Sequence, residues 1–376
     1  MIRVLNKMEL KIPEHIKGII PYEPGKPIEE LERELGIKNS IKLASNENPI
    51  GPSSKALKAI EDSLPNIHRY PDGSGFYLKG AISDYFNVKT SEIILGNGSN
   101  EIIELSVRTF LNPGDEIVFA DQSFIFYKLV TQAANCRGVV VPLKDFTHDL
   151  ERMAEAISEK TKMIFISNPN NPTGTAVEKD DVEKFFGKIR DDIIVVFDEA
   201  YYEYVEMDDF PDTVRYVRDG KNVIVLRTFS KIYGLAGLRV GYGFARAELV
   251  DFMNRVRQPF NVNSLAQTGA VAALKDQSHL ERSREINRKG KEYLYGEFRR
   301  LGLDYIPTEA NFILIKACSE RSESIRKGRE VYNRLLKKGI IIRPLDGYKL
   351  PDYIRVTIGL PEENKRFIDA LSDIYA

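Results

Sequence analysis

Short apolar runs alternate with longer amphipathic stretches through the middle of the chain. Runs that are apolar on both faces are typical of strands covered by helices on each side. The amphipathic stretches, such as 101–111 and 177–189, predict those covering helices. We therefore expect an α/β fold whose large unit holds a mostly parallel, seven-stranded sheet. The seven runs are residues 93–95, 117–119, 139–141, 163–166, 193–197, 223–226 and 240–244.

The pattern differs on either side of residues 41–265, which we expect to form that large domain. Residues 1–40 predict an N-terminal arm, with an extended proline-rich segment and a short charged helix over 28–35. After residue 265 the chain predicts a smaller α+β domain over 266–376. Its expected parts are a long helical stretch over 267–301, apolar runs at 312–315, 340–342 and 353–358 with a helix between the first two, a solvated loop or helix start at 319–329, and a C-terminal helix.

Composition argues against several classes of partner. The net charge is -1 and the two signs are mixed along the chain, so no basic surface for nucleic acid or an anionic membrane is expected. Two cysteines, Cys136 and Cys318, cannot build a disulfide framework, which favours a reducing cytoplasm. The N-terminus lacks a signal-peptide core, and no apolar run approaches the ~20 residues of a membrane helix. We expect a cytoplasmic protein that acts on small molecules.

Polar candidates lie just after several apolar runs, where parallel α/β sheets bind their ligands. Lys231 follows the run at 223–226, and Thr228, Ser230 and Arg239 accompany it. Two hydroxyls and a guanidinium suit a phosphate dianion. A lone lysine would be interpreted as a surface residue. With these neighbours, Lys231 is better explained as an amine held for a covalent bond to pyridoxal 5′-phosphate.

Asp198 directly follows the run at 193–197. A carboxylate at this edge can pair with a protonated pyridine nitrogen, and each charge then stabilises the other. Four apolar residues before Asp-Glu also resemble the magnesium-binding strand of P-loop ATPases. That alternative needs a Gly-x-x-x-x-Gly-Lys-Ser/Thr loop, which the chain lacks. A second alternative is that Asp198 caps the following helix.

Two turns supply further candidates. Residues 96–100, Gly-Asn-Gly-Ser-Asn, lead from a strand into a helix, so their amides are free to bind an anion. A plain strand-to-helix turn explains this segment equally well. Residues 168–174, Asn-Pro-Asn-Asn-Pro-Thr-Gly, predict a rigid turn. Asn171 in that turn can also project a neutral donor toward the ring hydroxyl of the cofactor.

Four motifs in this order give the chain a family resemblance: Ser-Asn-Glu-Asn-Pro at 45–49, Arg-Tyr-Pro-Asp at 69–72, Asn-Pro-Thr-Gly at 171–174, and Ser-Lys through Gly-Leu-Arg at 230–239. Over about residues 44–359 the chain resembles the fold-type I pyridoxal-phosphate-dependent aminotransferases. Within them it is most similar to the histidinol-phosphate and aromatic aminotransferases. The resemblance implies an aspartate aminotransferase-like fold and a homodimer with shared active sites.

The resemblance also implies roles at individual positions. Lys231 would hold the cofactor aldehyde as an imine, Asp198 would pair with the ring nitrogen, and Tyr201 and Asn171 would approach the ring hydroxyl. Phe124 would stack on the ring. The cofactor phosphate would be bound by Ser99, Asn100, Thr228, Ser230 and Arg239, and by Tyr70 of the neighbouring subunit.

For the substrate, the resemblance implies that Arg355 binds the α-carboxylate. We expect Arg343 and Tyr22 to join it in one basic pocket that also takes a phosphate, and Asn46 to contact the substrate. Arg343 is equally explained as a surface residue. Arg355 could also be a strand residue that faces solvent, but its place in an otherwise apolar strand favours a functional role. The expected reaction converts histidinol phosphate and 2-oxoglutarate into imidazole acetol phosphate and glutamate. The alternatives are an aromatic amino acid aminotransferase and a pyridoxal-phosphate lyase such as threonine-phosphate decarboxylase. Many relatives have a proline in place of Gln122 and an aromatic in place of Ile50, so the donor stays open.

Overall fold

A computed structural model describes residues 10–317 and 327–375 of the 376-residue chain. The helices over these residues are α1 (Glu14–Lys17), α2 (Ile28–Leu35), α3 (Ser54–Ser63), α4 (Phe76–Phe86), α5 (Ser99–Phe110), α6 (Phe126–Ala133), α7 (Leu150–Glu155), α8 (Lys179–Phe186), α9 (Thr213–Arg218), α10 (Ala247–Val256), α11 (Ser264–Leu274), α12 (Gln277–Leu301), α13 (Gly328–Lys337) and α14 (Pro361–Tyr375). The strands are β1 (Ile41–Lys42), β2 (Ile93–Gly96), β3 (Glu116–Ala120), β4 (Arg137–Val141), β5 (Thr161–Ser167), β6 (Ile194–Asp198), β7 (Val223–Thr228), β8 (Gly241–Ala245), β9 (Tyr305–Ile306), β10 (Phe312–Lys316), β11 (Ile340–Ile341), β12 (Arg343–Pro344) and β13 (Tyr353–Thr357).

The central sheet has seven strands in the order β2-β8-β7-β6-β5-β3-β4. Only β8 runs antiparallel to its neighbours β2 and β7, and the remaining pairs are parallel. Each of the seven predicted apolar runs coincides with one of these strands, so the predicted mostly parallel α/β sheet is confirmed. The register sets Asp198 beside Ser167 and Leu226, which brings the carboxyl ends of β5, β6 and β7 level with one another.

Helices cover both faces of this sheet, which explains why its strands are apolar on both faces. Along β7, Val223 and Val225 pack into one core with residues of α3, α4 and α11. Ile224 and Leu226, which point the other way, pack into a second core with residues of α5 and α10. The period-two alternation of a strand therefore divides one continuous apolar run between two cores.

A smaller antiparallel sheet, β12-β13-β10-β9, packs its apolar face against α12, α13 and α14. Strand β1, just after the arm, pairs with β11 of this region. The helices predicted at 28–35, between 315 and 340, and at the C-terminus are confirmed as α2, α13 and α14. Residues 318–326, most of the predicted loop, lie outside the described residues, and α13 begins at Gly328. The division of the chain at residues 40 and 265 stays a prediction.

The expectation of one helical stretch over 267–301 is wrong in its continuity. Helix α11 ends at Leu274 and α12 begins at Gln277. Between them the Asp276 carboxylate accepts a hydrogen bond from Ser278 Oγ and pairs with Lys55 Nζ at 3.3 Å. Such local bonds of an aspartate compete with helical backbone bonds. Across the described ranges, no helix is both long and apolar enough to pass through a bilayer.

Candidate active site

A cavity of about 520 Å³ lies at the carboxyl edge of the central sheet, next to the ends of β5, β6 and β7. This volume is in the range of small-molecule sites, ~300–1,000 Å³. The sheet and the loops after its strands bring eleven of the residues predicted from sequence to this one cavity. They are Tyr22, Ser99, Asn100, Phe124, Asn171, Asp198, Tyr201, Thr228, Ser230, Lys231 and Arg239.

Lys231 follows β7, and its Nζ donates to the backbone carbonyl of Ser45 at 3.2 Å. Burial, together with the positive charges of Arg355 and Arg239, lowers the pKa of Lys231 to about 8. A lysine with a depressed pKa has more neutral amine near pH 7, and the neutral amine is the form that attacks a carbonyl. The side chain therefore suits the predicted covalent role.

Asp198 is the last residue of β6 and is buried. Its Oδ2 accepts a hydrogen bond from Tyr127 Oη at 2.8 Å, while Oδ1 has no partner among the described residues. Burial raises the pKa of Asp198 to about 6. The alternative of a helix cap is wrong, because Tyr201 occupies the N-cap position of the following 3₁₀ turn. An unpartnered, buried acceptor at a cavity wall fits a protonated pyridine nitrogen.

Five residues predicted to bind the cofactor phosphate also lie together at this cavity. They are Ser99, Asn100, Thr228, Ser230 and Arg239. Helix α5 begins at Ser99, and Ser230 Oγ accepts from Arg239 Nη1 at 3.3 Å. A Cβ added to Gly98 would lie 2.3 Å from Arg239 Nη2, and one added to Gly241 would lie 2.4 Å from the Ser99 nitrogen. A side chain at position 98 would displace the Arg239 guanidinium, and one at position 241 would collide with the backbone of Ser99. Free amides of a helix start beside a guanidinium form a cradle that fits a phosphate.

Asn171 and Tyr201 each accept a hydrogen bond from a predicted residue that is not itself in the lining of this cavity. Arg355 donates from Nη1 to Asn171 Oδ1 and from Nη2 to the carbonyl of Ala44 at 2.7 Å. Asn46 Nδ2 donates to Tyr201 Oη at 2.9 Å. Burial raises the pKa of Tyr201 to about 12, so its hydroxyl keeps its proton at neutral pH.

Arg343 lines an adjoining cavity of about 280 Å³, which shares Tyr22 with the first. The Arg343 guanidinium lies 5.3 Å from the centre of the Tyr22 ring and donates to the carbonyl of Glu23 at 2.8 Å. In the register of β12 and β13, Arg343 stands opposite Arg355. The two predicted substrate arginines are therefore neighbours across two strands.

Tyr70 is the one predicted cofactor-binding residue that does not line this cavity. Its side chain is 83% exposed and stacks on Phe260, with 4.8 Å between the ring centres. The expected contact between Tyr70 and the cofactor phosphate crosses a subunit interface, and it stays a prediction.

Sequence reasoning missed three contributors to the site. Tyr127 donates to Asp198, Ser45 supplies the carbonyl that accepts from Lys231, and Thr357 bonds to Asn46. A signal for Tyr127 was present, because it lies three residues after Phe124, which directly precedes the N-cap of α6, and residues three apart in a turn are neighbours. The other two contacts join segments far apart in sequence, and no local pattern marks them.

A lysine with a lowered pKa, a buried carboxylate, and helix-start amides beside a guanidinium lie together at the carboxyl edge of a mostly parallel sheet. This arrangement fits the class of fold-type I pyridoxal-phosphate enzymes. Within that class, the family "Aminotransferase class I and II" matches residues 38–371, and the chain belongs to it. It is 50% identical to "Histidinol-phosphate aminotransferase" of Moorella thermoacetica, covering 97% of this chain and 93% of that protein. The protein of the same name from Caldicellulosiruptor saccharolyticus is 47% identical, with 96% and 99% coverage.

Solved structures agree with this assignment. Histidinol-phosphate aminotransferase from Sinorhizobium meliloti, in complex with pyridoxal-5′-phosphate, matches with a TM-score of 0.88 and 26% identity over 98% of each chain. Aspartate aminotransferase from Thermus thermophilus, a single mutant, matches with a TM-score of 0.83 and 20% identity, covering 98% of this chain and 99% of that one. The second match supports the aspartate aminotransferase-like fold alone.

Proposed function

We propose that this chain transfers the amino group of histidinol phosphate to 2-oxoglutarate with pyridoxal 5′-phosphate as cofactor. The observation that carries this proposal is Arg355. Its side chain is buried at 6% exposure, its Nε has no partner, and no carboxylate of the described residues pairs with it. A buried guanidinium without a counter-ion is costly. A substrate anion is the group that would complete it.

Arg343 extends the proposed anion site around Arg355. Because Arg343 stands opposite Arg355 and lies near Tyr22, two guanidiniums and a phenol are available to one anion. A guanidinium binds carboxylate and phosphate oxygens in the same bidentate manner. One pocket can therefore take the phosphate of histidinol phosphate in one half-reaction and the α-carboxylate of 2-oxoglutarate in the other. The name shared by relatives about 50% identical to this chain supports that donor.

When bound, pyridoxal 5′-phosphate supplies an aldehyde that takes up the amino group and a ring that accepts electrons. Asp198 would keep a proton on the ring nitrogen through its unpartnered Oδ1. Lys231 would carry the α-proton of the substrate between the two carbons that exchange it. Asn171 is left to donate from Nδ2, since its Oδ1 accepts from Arg355. Phe124 lies in the cavity wall for stacking on the ring.

We further propose a cytoplasmic homodimer. The support for the dimer is a surface of large exposed apolar side chains on α4, on the loop before it and on the segment after α10. Isolated exposed apolar residues are ordinary, but a group of this kind is typical of an interface. The members are Ile67, Tyr70, Phe76, Tyr77 and Phe260. Tyr70 belongs to this surface, in agreement with its proposed contact across the subunit boundary.

The test is a comparison of kcat/KM for histidinol phosphate, phenylalanine, tyrosine and threonine phosphate, with 2-oxoglutarate as acceptor and glutamate as the measured product. We expect histidinol phosphate to give the highest value. Arg343→Gln should reduce that value more than the value for phenylalanine, because a phosphate carries more charge than a carboxylate. Arg299→Gln, a change at an exposed arginine, is the matched control. A higher kcat/KM for an aromatic donor, or release of carbon dioxide without an acceptor, would contradict the proposal.

A further inference from the structure

Asn46 is buried at 1% exposure, and every one of its polar atoms is bonded. Its backbone N–H donates to Thr357 Oγ1 at 2.9 Å, and its backbone carbonyl accepts from Asn311 Nδ2 at 3.0 Å. Its side-chain Oδ1 accepts from Thr357 Oγ1 at 3.2 Å, and its Nδ2 donates to Tyr201 Oη at 2.9 Å. Its φ of 56° lies in the left-handed region, which asparagine adopts more readily than most residues. The residue is thus fixed at both backbone and side chain.

These bonds have a direction. A threonine hydroxyl that accepts from the Asn46 backbone has one proton to give, and it gives it to Oδ1. In this arrangement the amide oxygen of Asn46 faces Thr357 and the amide nitrogen faces Tyr201. An amide nitrogen only donates, so Tyr201 Oη accepts, and the proton of the Tyr201 hydroxyl is left for the cavity that this tyrosine lines.

Thr357 connects this chain of bonds to the substrate arginine. It lies on β13 two residues after Arg355, and residues two apart on a strand face the same side. Both residues bond to the segment that carries Asn46. Arg355 Nη2 donates to the Ala44 carbonyl, and the Thr357 backbone donates to the Leu43 carbonyl at 2.8 Å. The wall of the anion pocket and the support of Tyr201 therefore belong to one hydrogen-bonded segment.

We propose that Thr357 and Asn46 are positioning residues, which together aim the hydroxyl proton of Tyr201 at the ring hydroxyl of the cofactor. Neither touches the reacting atoms. This inference rests on the proposed function in one respect, because it takes pyridoxal phosphate as the group that binds beside Tyr201. It goes beyond the assignment of Asn46 as a substrate contact, because it gives Asn46 a role through Tyr201 and brings in Thr357.

The test is a spectroscopic double-mutant cycle on the purified holoenzyme, with Thr357→Val, Tyr201→Phe and the combination. Thr357→Val keeps the shape and removes the hydroxyl, while Thr357→Ser keeps the hydroxyl and is the matched control. For each protein, the pH midpoint of the cofactor absorption and the dissociation constant of pyridoxal phosphate are measured. A net hydrogen bond contributes about one pKa unit or less. We expect Thr357→Val to move the midpoint by about half a unit, in the direction that Tyr201→Phe moves it.

The decisive outcome is the double variant. If Thr357 acts through Tyr201, adding Thr357→Val to Tyr201→Phe produces no further shift, and Thr357→Ser restores the parental midpoint. Independent shifts that add, or an equal shift from Thr357→Ser, would overturn the inference. Should Thr357→Val fail to fold, Thr357→Ala removes the same hydroxyl without adding a charge, and it must shift the midpoint in the parent and not in Tyr201→Phe. Amino transfer by the parent protein tests the proposed function separately.

Discussion

Lys231 is a cation held near two other cations, so replacing it with methionine should stabilise the cofactor-free protein. Burial and the charges of Arg355 and Arg239 lower the pKa of Lys231 from 10.5 to about 8. One pKa unit corresponds to about 1.36 kcal/mol, so the shift sets an upper limit of about 3 kcal/mol on the cost of protonated Lys231 in the folded state. Methionine keeps most of the aliphatic stem and carries no charge. We expect Lys231→Met to unfold with a free energy about 1–3 kcal/mol above that of the parent at pH 7.

The predicted gain in the free energy of unfolding depends on pH. The folded-state pKa of Lys231 lies below the unfolded value, so the unfolded protein binds more protons between pH 8 and 10.5. Stability of the parent therefore rises with pH in that window, relative to the variant. Below about pH 8 the lysine is protonated in both the folded and the unfolded state. The free energy of unfolding of the parent then stays below that of the variant by a constant amount. The difference between the two proteins should thus be largest near neutral pH and shrink as pH approaches 10.

Urea denaturation of the cofactor-free proteins at equal concentration, at several pH values from 7 to 10, measures this difference. Lys275→Met is the matched control, because Lys275 is exposed at the end of α11 and its loss should leave the free energy of unfolding nearly unchanged. A Lys231→Met protein that is less stable than the parent, or whose stability follows the parent at a constant offset up to pH 10, would refute the reasoning.

Three further changes test other parts of the site. Asp198→Asn should leave cofactor bound but lower the rate of proton abstraction about a hundredfold or more, because a neutral amide holds a ring proton poorly; single-turnover absorbance measures it, and an unchanged rate removes Asp198 from the chemistry. Gly98→Ala should weaken pyridoxal phosphate binding about tenfold, since its Cβ meets Arg239 Nη2, whereas Gly220→Ala, with a similar φ of 76° and open space, should not. Arg227→Met should cost about 3–5 kcal/mol in urea denaturation by leaving buried Glu199 unpaired, and adding Glu199→Gln should recover part of that loss.

The strands of the central sheet were predictable because each is apolar on both faces and is bounded by polar turns. The run at 163–166, for example, lies inside β5, and the run at 223–226 inside β7. The break between α11 and α12 was not predictable from the periodic pattern. It depends on Asp276, whose carboxylate bonds to Ser278 and Lys55, and Lys55 lies more than 200 residues away. A local sequence pattern carries no information about such a partner.

The same distinction applies to the site. Lys231, Asp198 and Asn171 were predictable because each lies at or just after the end of a strand, and the carboxyl ends of parallel strands meet at one edge. Their supports were not, since Asn46 and Thr357 are 311 residues apart and the Ser45 carbonyl is 186 residues from Lys231. The positions that carry chemistry are marked by residue type and by local order. The groups that orient them are ordinary residues, which only tertiary contact distinguishes.

One part of the site is explained by the alternation of the strands that carry it. Asp198 and Thr228 line the cavity from the ends of β6 and β7, and the residues beside them in sequence, Glu199 and Arg227, point away from it. These two form a buried pair, with Arg227 Nε and Nη2 at 3.0 and 2.9 Å from Glu199 Oε2. A guanidinium that donates two hydrogen bonds to one carboxylate oxygen restricts both partners in distance and in angle. It therefore fixes the ends of the two strands on the side away from the cavity. As a result, Asp198 and Thr228, the proposed partners of the cofactor ring nitrogen and phosphate, keep their spacing in the absence of the cofactor.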